Sequence, residues 1–125
     1  MMSLGQARAA FALERVRPHS ASKEYRDDSR GLPGMLAVNG LLTVLLHDGG
    51  KLPVRDLAAW LTSGGVPGLP GGQGQDLAGV LTRCSSAQYQ CASAEALSMA
   101  TWLKHWAQAL FTPEPEPADG QPEQP

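Results

Sequence analysis

The chain has 125 residues, ten of them basic and twelve acidic, with two cysteines and 42% hydrophobic side chains. That length suggests one domain, and no apolar run is long enough to cross a bilayer. The first residues lack the basic-then-apolar order of a secretory signal, and Cys84 and Cys91, on one helix, would stand roughly 10 Å apart, too far for a disulfide; a cytoplasmic protein with reduced thiols is the simplest reading.

Helical patterning recurs along the chain and strand patterning does not. Ser3 and Gln6 spell a capping box, and a helix is expected from there to about Arg17, stopped by Pro18. Its apolar residues, among them Leu4, Ala7, Ala10, Phe11, Leu13 and Val16, cover most of the circumference, which predicts a largely enclosed helix. Arg8 and Arg15 are two turns apart on one narrow face. Ser22 can cap a second, polar helix over 23–30, with Glu24 near its positive end and Gly31 to end it. Pro33 is suited to open a third helix running to His47. Asn39-Gly40 falls inside this run. The pair is a strong hairpin signal, but apolar residues at 35, 38, 42 and 45 keep helical spacing, so it is read as helix interior. There Gly costs roughly 1 kcal/mol relative to Ala, and a small residue would serve a close approach or a bend.

Pro53 opens a fourth helix with Val54, Leu57, Ala58, Trp60 and Leu61, and Gly64 is a natural stop. SGGVPGLPGGQG reads as loop. A short fifth helix is expected from Asp76 to Cys84, a further turn or two from Ser85 to Ala92, and a last helix capped by Ser93 and running to about Phe111. Its polar stripe is Ser98, Thr101, Lys104, His105 and Gln108. The final fourteen residues, TPEPEPADGQPEQP, hold five Pro, four acids and no base. They cannot bury enough surface to offset their ordering entropy and read as a disordered acidic tail over 112–125. Residues 1–111 are left as a single helical domain with a net charge of +2. The fold class is all-α, a compact bundle of five to seven helices.

Local signals for chemistry are absent. His19, His47 and His105 lie in different elements, and no H-E-x-x-H or C-x-x-C spacing occurs, so no metal and no cofactor is expected. No G-x-S-x-G or phosphate loop occurs. Gly71-Gly72-Gln73 repeats a tripeptide of release factors, within a loop whose composition generates such triplets. Asp27 and Asp28 are adjacent on a helix and point roughly 100° apart, as surface acids do. A thiol nucleophile at Cys84 or Cys91 has no local support over two small buried hydrophobes. These readings predict a non-enzyme without a small-molecule substrate. A binding surface is easier to support: Arg8, Arg15, Lys23, Arg26 and Arg30 crowd the first thirty residues, and Lys104 adds a cation on an acid-free face. Cations on helices can track a phosphate backbone without reading sequence. The competing reading is a helical protein–protein adaptor that does not bind nucleic acid, with Trp60, Trp102 and Trp106 as anchors.

The order of several short pieces resembles a known family. Gln6, Ala7 and Ala10; Tyr25 and Arg26; Leu32 and Pro33; Asn39, Gly40 and Leu41; Ala96 and Leu97; and Trp102, Leu103 and Lys104 follow the pattern of the small helical subunit of the Cmr complex, the type III-B CRISPR RNA-targeting effector. The match spans residues 3 to 111. The resemblance implies a non-catalytic subunit of antiviral defence that stacks with copies of itself into a short filament, beside the backbone and large subunits. It implies basic contacts to guide RNA and target RNA. Arg8, Arg15, Lys23, Arg26, Arg30 and Lys104 are the expected RNA contacts, and Asn39 and Gly40 the expected assembly or packing positions. The 64–74 loop and the acidic tail depart from the pattern, and the tail is expected to point away from the RNA channel.

Overall fold

The computed structural model describes residues 2–64, 66, 69 and 76–113. Among them are six α-helices and one 3-10 turn, and no strand: α1 (Leu4–Val16), the turn Arg17–His19, α2 (Lys23–Asn39), α3 (Leu41–Asp48), α4 (Leu52–Leu61), α5 (Leu77–Arg83) and α6 (Ser86–Leu110). The expected disorder of the tail and most of the 64–74 loop lie outside the described residues.

The all-α expectation is met, and several boundaries differ from it. The capping box of α1 is present: Gln6 N–H donates to Ser3 Oγ and Ser3 N–H to Gln6 Oε1. Pro18 ends α1 in a 3-10 turn. The helix is less enclosed than its apolar content suggested, because only Ala12 and Val16 are buried. Leu4 and Glu14 face solvent.

α2 and the predicted third helix are joined differently from the reading above. α2 continues through Gly31 and Pro33 to Asn39. Tyr25, Ser29, Leu32 and Leu36 are its buried face, at the i, i+4, i+7, i+11 spacing of a helical stripe. That stripe spans the Gly-Leu-Pro break and outweighs the backbone bond that Pro33 withholds from the Ser29 carbonyl. The break comes instead at Gly40, with φ +87° and ψ 159°, which both caps α2 and starts α3. Asn39-Gly40 is therefore a corner between two helices and not a helix interior. Gly40 N–H still reaches the Leu36 carbonyl at 3.0 Å, and its own carbonyl accepts from Val44 N–H at 3.2 Å. The Tyr89 hydroxyl closes the corner by accepting from the Leu42 N–H at 3.2 Å.

α6 is one helix of 25 residues rather than a turn followed by a helix. Its capping box is Ser85 with Gln88, so Ser93 lies inside it. α6 is the spine, and α1, α2 and α4 pack on it. Ala92, Ala96, Met99, Ala100, Leu103 and Ala107 are buried along it. Four alanines in that stripe let the neighbouring helices approach closely. Cys84 caps α5, and Cys91 is exposed on α6; both are free thiols.

Candidate nucleic-acid interface

The six expected RNA contacts fall into two groups. Arg8 and Arg15 share a face of α1, as their spacing required, but each is anchored inward on a buried acid. Arg8 donates from Nε and Nη2 to the two carboxylate oxygens of Glu95, at 2.7 and 2.8 Å. Trp60 Nε1 donates to the same carboxylate at 2.8 Å. Arg15 Nε donates to Asp56 Oδ1 at 2.8 Å, and the Tyr25 hydroxyl donates to Asp56 Oδ2 at 2.6 Å. Two carboxylates thus clamp α1 to α4, α6 and α2.

The electrostatics follow from this wiring. The hydrogen bonds from Arg8 pull the Glu95 carboxyl below its usual range against the opposing effect of burial, and Trp60 adds to the pull. Arg8 is raised in turn by its bond to Glu95. Burial pushes the Tyr25 hydroxyl upward, and its bond to the Asp56 carboxylate pushes further. Tyr25 is accordingly a neutral donor at any ordinary pH. Arg8 is 23% exposed and Arg15 44%, so Arg15 alone of the two keeps much of its guanidinium at the surface, over the Phe11 ring.

Neither Glu95 nor Asp56 was found by sequence reasoning. A signal did exist. Glu95 stands at the inward phase of α6 between Ala92 and Met99, and Asp56 at the inward phase of α4 beside Leu57 and Trp60. An acid at such a phase demands a partner.

The second group forms a surface. Lys23, Arg26 and Arg30 recur at i, i+3 and i+7 on α2, one face of the helix. Lys23 and Arg30 are exposed. Arg26 is held against the fold, its guanidinium 4.1 Å above the Phe111 ring and its Nε buried without a hydrogen-bond partner. Asp27 lies 3.5 Å from both Arg26 and Arg30, the distance of a loose, solvated pair. Glu24 and Asp28 occupy the next face round. Lys104 precedes Phe111 by two turns on the same side of α6, which brings a fourth cation to the flank where α2 and the end of α6 meet. Neither Lys23 nor Lys104 has an ion pair among the described residues.

Asn39 is exposed and Gly40 half-buried at the far end of α2. Beside them stand the two most exposed large aliphatic side chains described, Val38 at 84% and Leu46 at 71%. The expected tryptophan anchors separate: Trp60 is buried and committed to Glu95, whereas Trp102 and Trp106 stack on each other, half-buried, with Trp106 Nε1 donating to the Ala9 carbonyl. Among the described residues no group of three His, Cys, Asp or Glu could hold a metal ion, and no helix is long and apolar enough to cross a membrane.

Six helices joined by two internal carboxylate clamps, with one cationic flank, define a small all-helical bundle protein. Over residues 4–110 the chain matches the family described as CRISPR-associated protein (Cas_Cmr5), and it belongs to that family. Its structure is similar to the X-ray crystal structure of a CRISPR-associated Cmr5 family protein from Thermus thermophilus. The TM-score is 0.67 and the sequence identity 28%, over 89% of this chain and 100% of that one. The resemblance read from the sequence is met by both matches. No curated protein matches the chain.

Proposed function

We propose that this chain is a non-catalytic structural subunit of a type III-B CRISPR (Cmr) ribonucleoprotein effector, acting in antiviral defence in the cytoplasm. It stacks with copies of itself and with backbone and large subunits, and it contacts guide and target RNA through basic residues. Family membership over residues 4–110 carries this reading. The cationic flank supports the RNA contact: Lys23 and Arg30 offer exposed charges, Arg26 supplies a fixed one, and Lys104 extends the row. Such contacts bind phosphate without reading bases. Arg15 can add its terminal nitrogens, while Arg8 is turned inward onto Glu95 and is only 23% exposed. For stacking, Asn39 and Gly40 at the helix corner, with Val38 and Leu46 exposed beside them, are the positions a neighbouring copy or subunit would meet.

The test is the double variant Lys23→Glu with Arg30→Glu in the assembled complex. RNA affinity falls, and the salt dependence of binding becomes shallower by about one for each phosphate no longer neutralised. The circular dichroism of the subunit stays unchanged, since neither side chain is buried. Unaltered RNA affinity would remove the α2 face from the interface. An adaptor without RNA is the second reading, favoured by the exposed Val38 and Leu46. Purification from the native host separates the two: guide RNA with Cmr subunits supports the first, and an RNA-free protein partner the second.

A further inference from the structure

The cationic face of α2 has an acidic counterpart in the same chain. After α6 ends at Leu110, Phe111 lies beneath Arg26, and Thr112 N–H donates to the Ser20 carbonyl at 3.0 Å. The last described residues, Thr112 and Pro113, are exposed. The chain thus leaves the described structure beside the first turn of α2, on the side of its cations. The twelve residues that follow, 114–125, contain Glu114, Glu116, Asp119 and Glu123 and no basic residue. Fully extended, twelve residues reach about 40 Å. The rise from Lys23 to Arg30 is only about 10 Å, so the whole face is within reach. Glu24 and Asp28 repel the segment from the adjacent face, which leaves the cationic one as the complementary surface.

We propose that, without RNA, the 114–125 segment docks its carboxylates on Lys23, Arg26, Arg30 and Lys104, and that it competes there with RNA phosphates. The competition rests on the function proposed above; the docking does not. A short tether holds the segment at an effective concentration in the millimolar range, so individually weak, exposed pairs suffice for occupancy. RNA presents a denser row of charge and displaces the segment, which then points away from the strand, as the sequence suggested for the assembled state. The segment would thereby penalise stray, short RNA contacts by the free chain and tolerate the long, cooperative contact of an assembled filament.

The experiment uses the full chain and zero-length carbodiimide coupling, mapped by mass spectrometry. The chain has three lysines, Lys23, Lys51 and Lys104. Lys51 lies by the acidic side of α2, lining a cleft with Glu24 and Asp28, and serves as the internal control. Coupling of the 114–125 carboxylates to Lys23 and Lys104 in preference to Lys51 is expected at about 0.05 M salt, and its loss at about 1 M, where the Debye length is about 3 Å. Equal coupling to all three lysines, or none, would overturn the docking. In parallel, Glu114→Gln, Glu116→Gln, Asp119→Asn and Glu123→Gln are combined, and binding of a short single-stranded oligo(A) RNA is measured. Affinity rises about three- to tenfold at low salt, and the difference closes as salt is added. Equal RNA affinity with and without the four charges would overturn the competition. If neither form binds RNA, the free chain has no RNA contact for the segment to oppose and the competition is overturned; the proposed function is decided separately in the assembled complex, and the docking by the coupling.

Discussion

Replacing Gly40 by Ala distinguishes a helix interior from a corner by the sign of the stability change. In a helix interior, Gly→Ala stabilises by about 0.5–1 kcal/mol. Gly40 instead has φ +87° and ψ 159°, a region that side chains other than Gly enter at a cost of about 1–3 kcal/mol. Against that, the variant's unfolded chain has less entropy to lose, which recovers about 0.4–1 kcal/mol. The net expectation is destabilisation by about 1–2 kcal/mol, or a Tm lower by about 4–8 °C in a domain of this size. The added Cβ meets only the Tyr89 hydroxyl, at 3.8 Å, so the cost is in the backbone, and Gly40→Leu falls close to Gly40→Ala. A close approach at Gly40, one of the two roles read from the sequence, would instead make Leu the more disruptive of the two. Thermal unfolding followed by far-UV circular dichroism gives both values. An Ala variant as stable as the parent, or more stable, would refute the corner geometry.

Other substitutions probe the clamps and caps. Arg8→Met leaves Glu95 buried with Trp60 as its remaining donor. A loss of about 2–3 kcal/mol is expected, below the range for a fully buried pair because Arg8 is partly exposed, and denaturant unfolding measures it. Because Glu95 titrates below its ordinary 4.5 in the folded chain, its contribution is complete above that value and is lost as pH falls through the lower folded value. The acid limb of the parent's stability profile therefore steepens below about pH 4.5, and Arg8→Met flattens that component. Tyr25→Phe removes a donor from the buried Asp56 and costs about 1–3 kcal/mol, read from the same unfolding curves. Ser85→Ala removes the α6 cap and costs about 1 kcal/mol, whereas Ser93→Ala, inside the helix, is near neutral; equal effects would move the start of α6.

Much of the fold was legible because its signals are local. Ser3 with Gln6, Ser22 before α2, Pro53 at the start of α4 and Asp76 before α5 each mark a helix start within a few residues. Where two local signals competed, the outcome depended on burial. Pro33 looks like a helix opener, yet Tyr25, Ser29, Leu32 and Leu36 form one stripe that only a continuous α2 can bury. Gly31 and Gly40 look alike in sequence, but only Gly40 takes a positive φ. Ser85 and Ser93 both suit a cap, and Gln88 supplies the reciprocal bond that favours the first. The site was less legible for a different reason. Arg8 and Arg15 are cations on one face, and nothing near them reveals that their partners are Glu95 and Asp56, which stand 87 and 41 residues away. Lys23, Arg26 and Arg30 could be grouped from spacing alone. That Arg26 rests on Phe111, and that Lys104 joins the same flank, required the packing of α6 against α2.

The clamp between Arg8 and Glu95, with the bond from Trp106 to the Ala9 carbonyl, also sets the timing of folding during synthesis. α1 is made first, but its main partner is the helix made last. At about 5–20 residues per second, several seconds separate the emergence of Arg8 from that of Glu95. Throughout that interval Phe11 and Val16 have no α6 to cover them, and Arg8 is a solvated cation without its carboxylate. The nascent chain can pair α2 with α3 and α4 early, but the core closes only when α6 has cleared the ribosome. Folding of this bundle is thus completed late in all but its local helices, and α6 supplies the step that completes it.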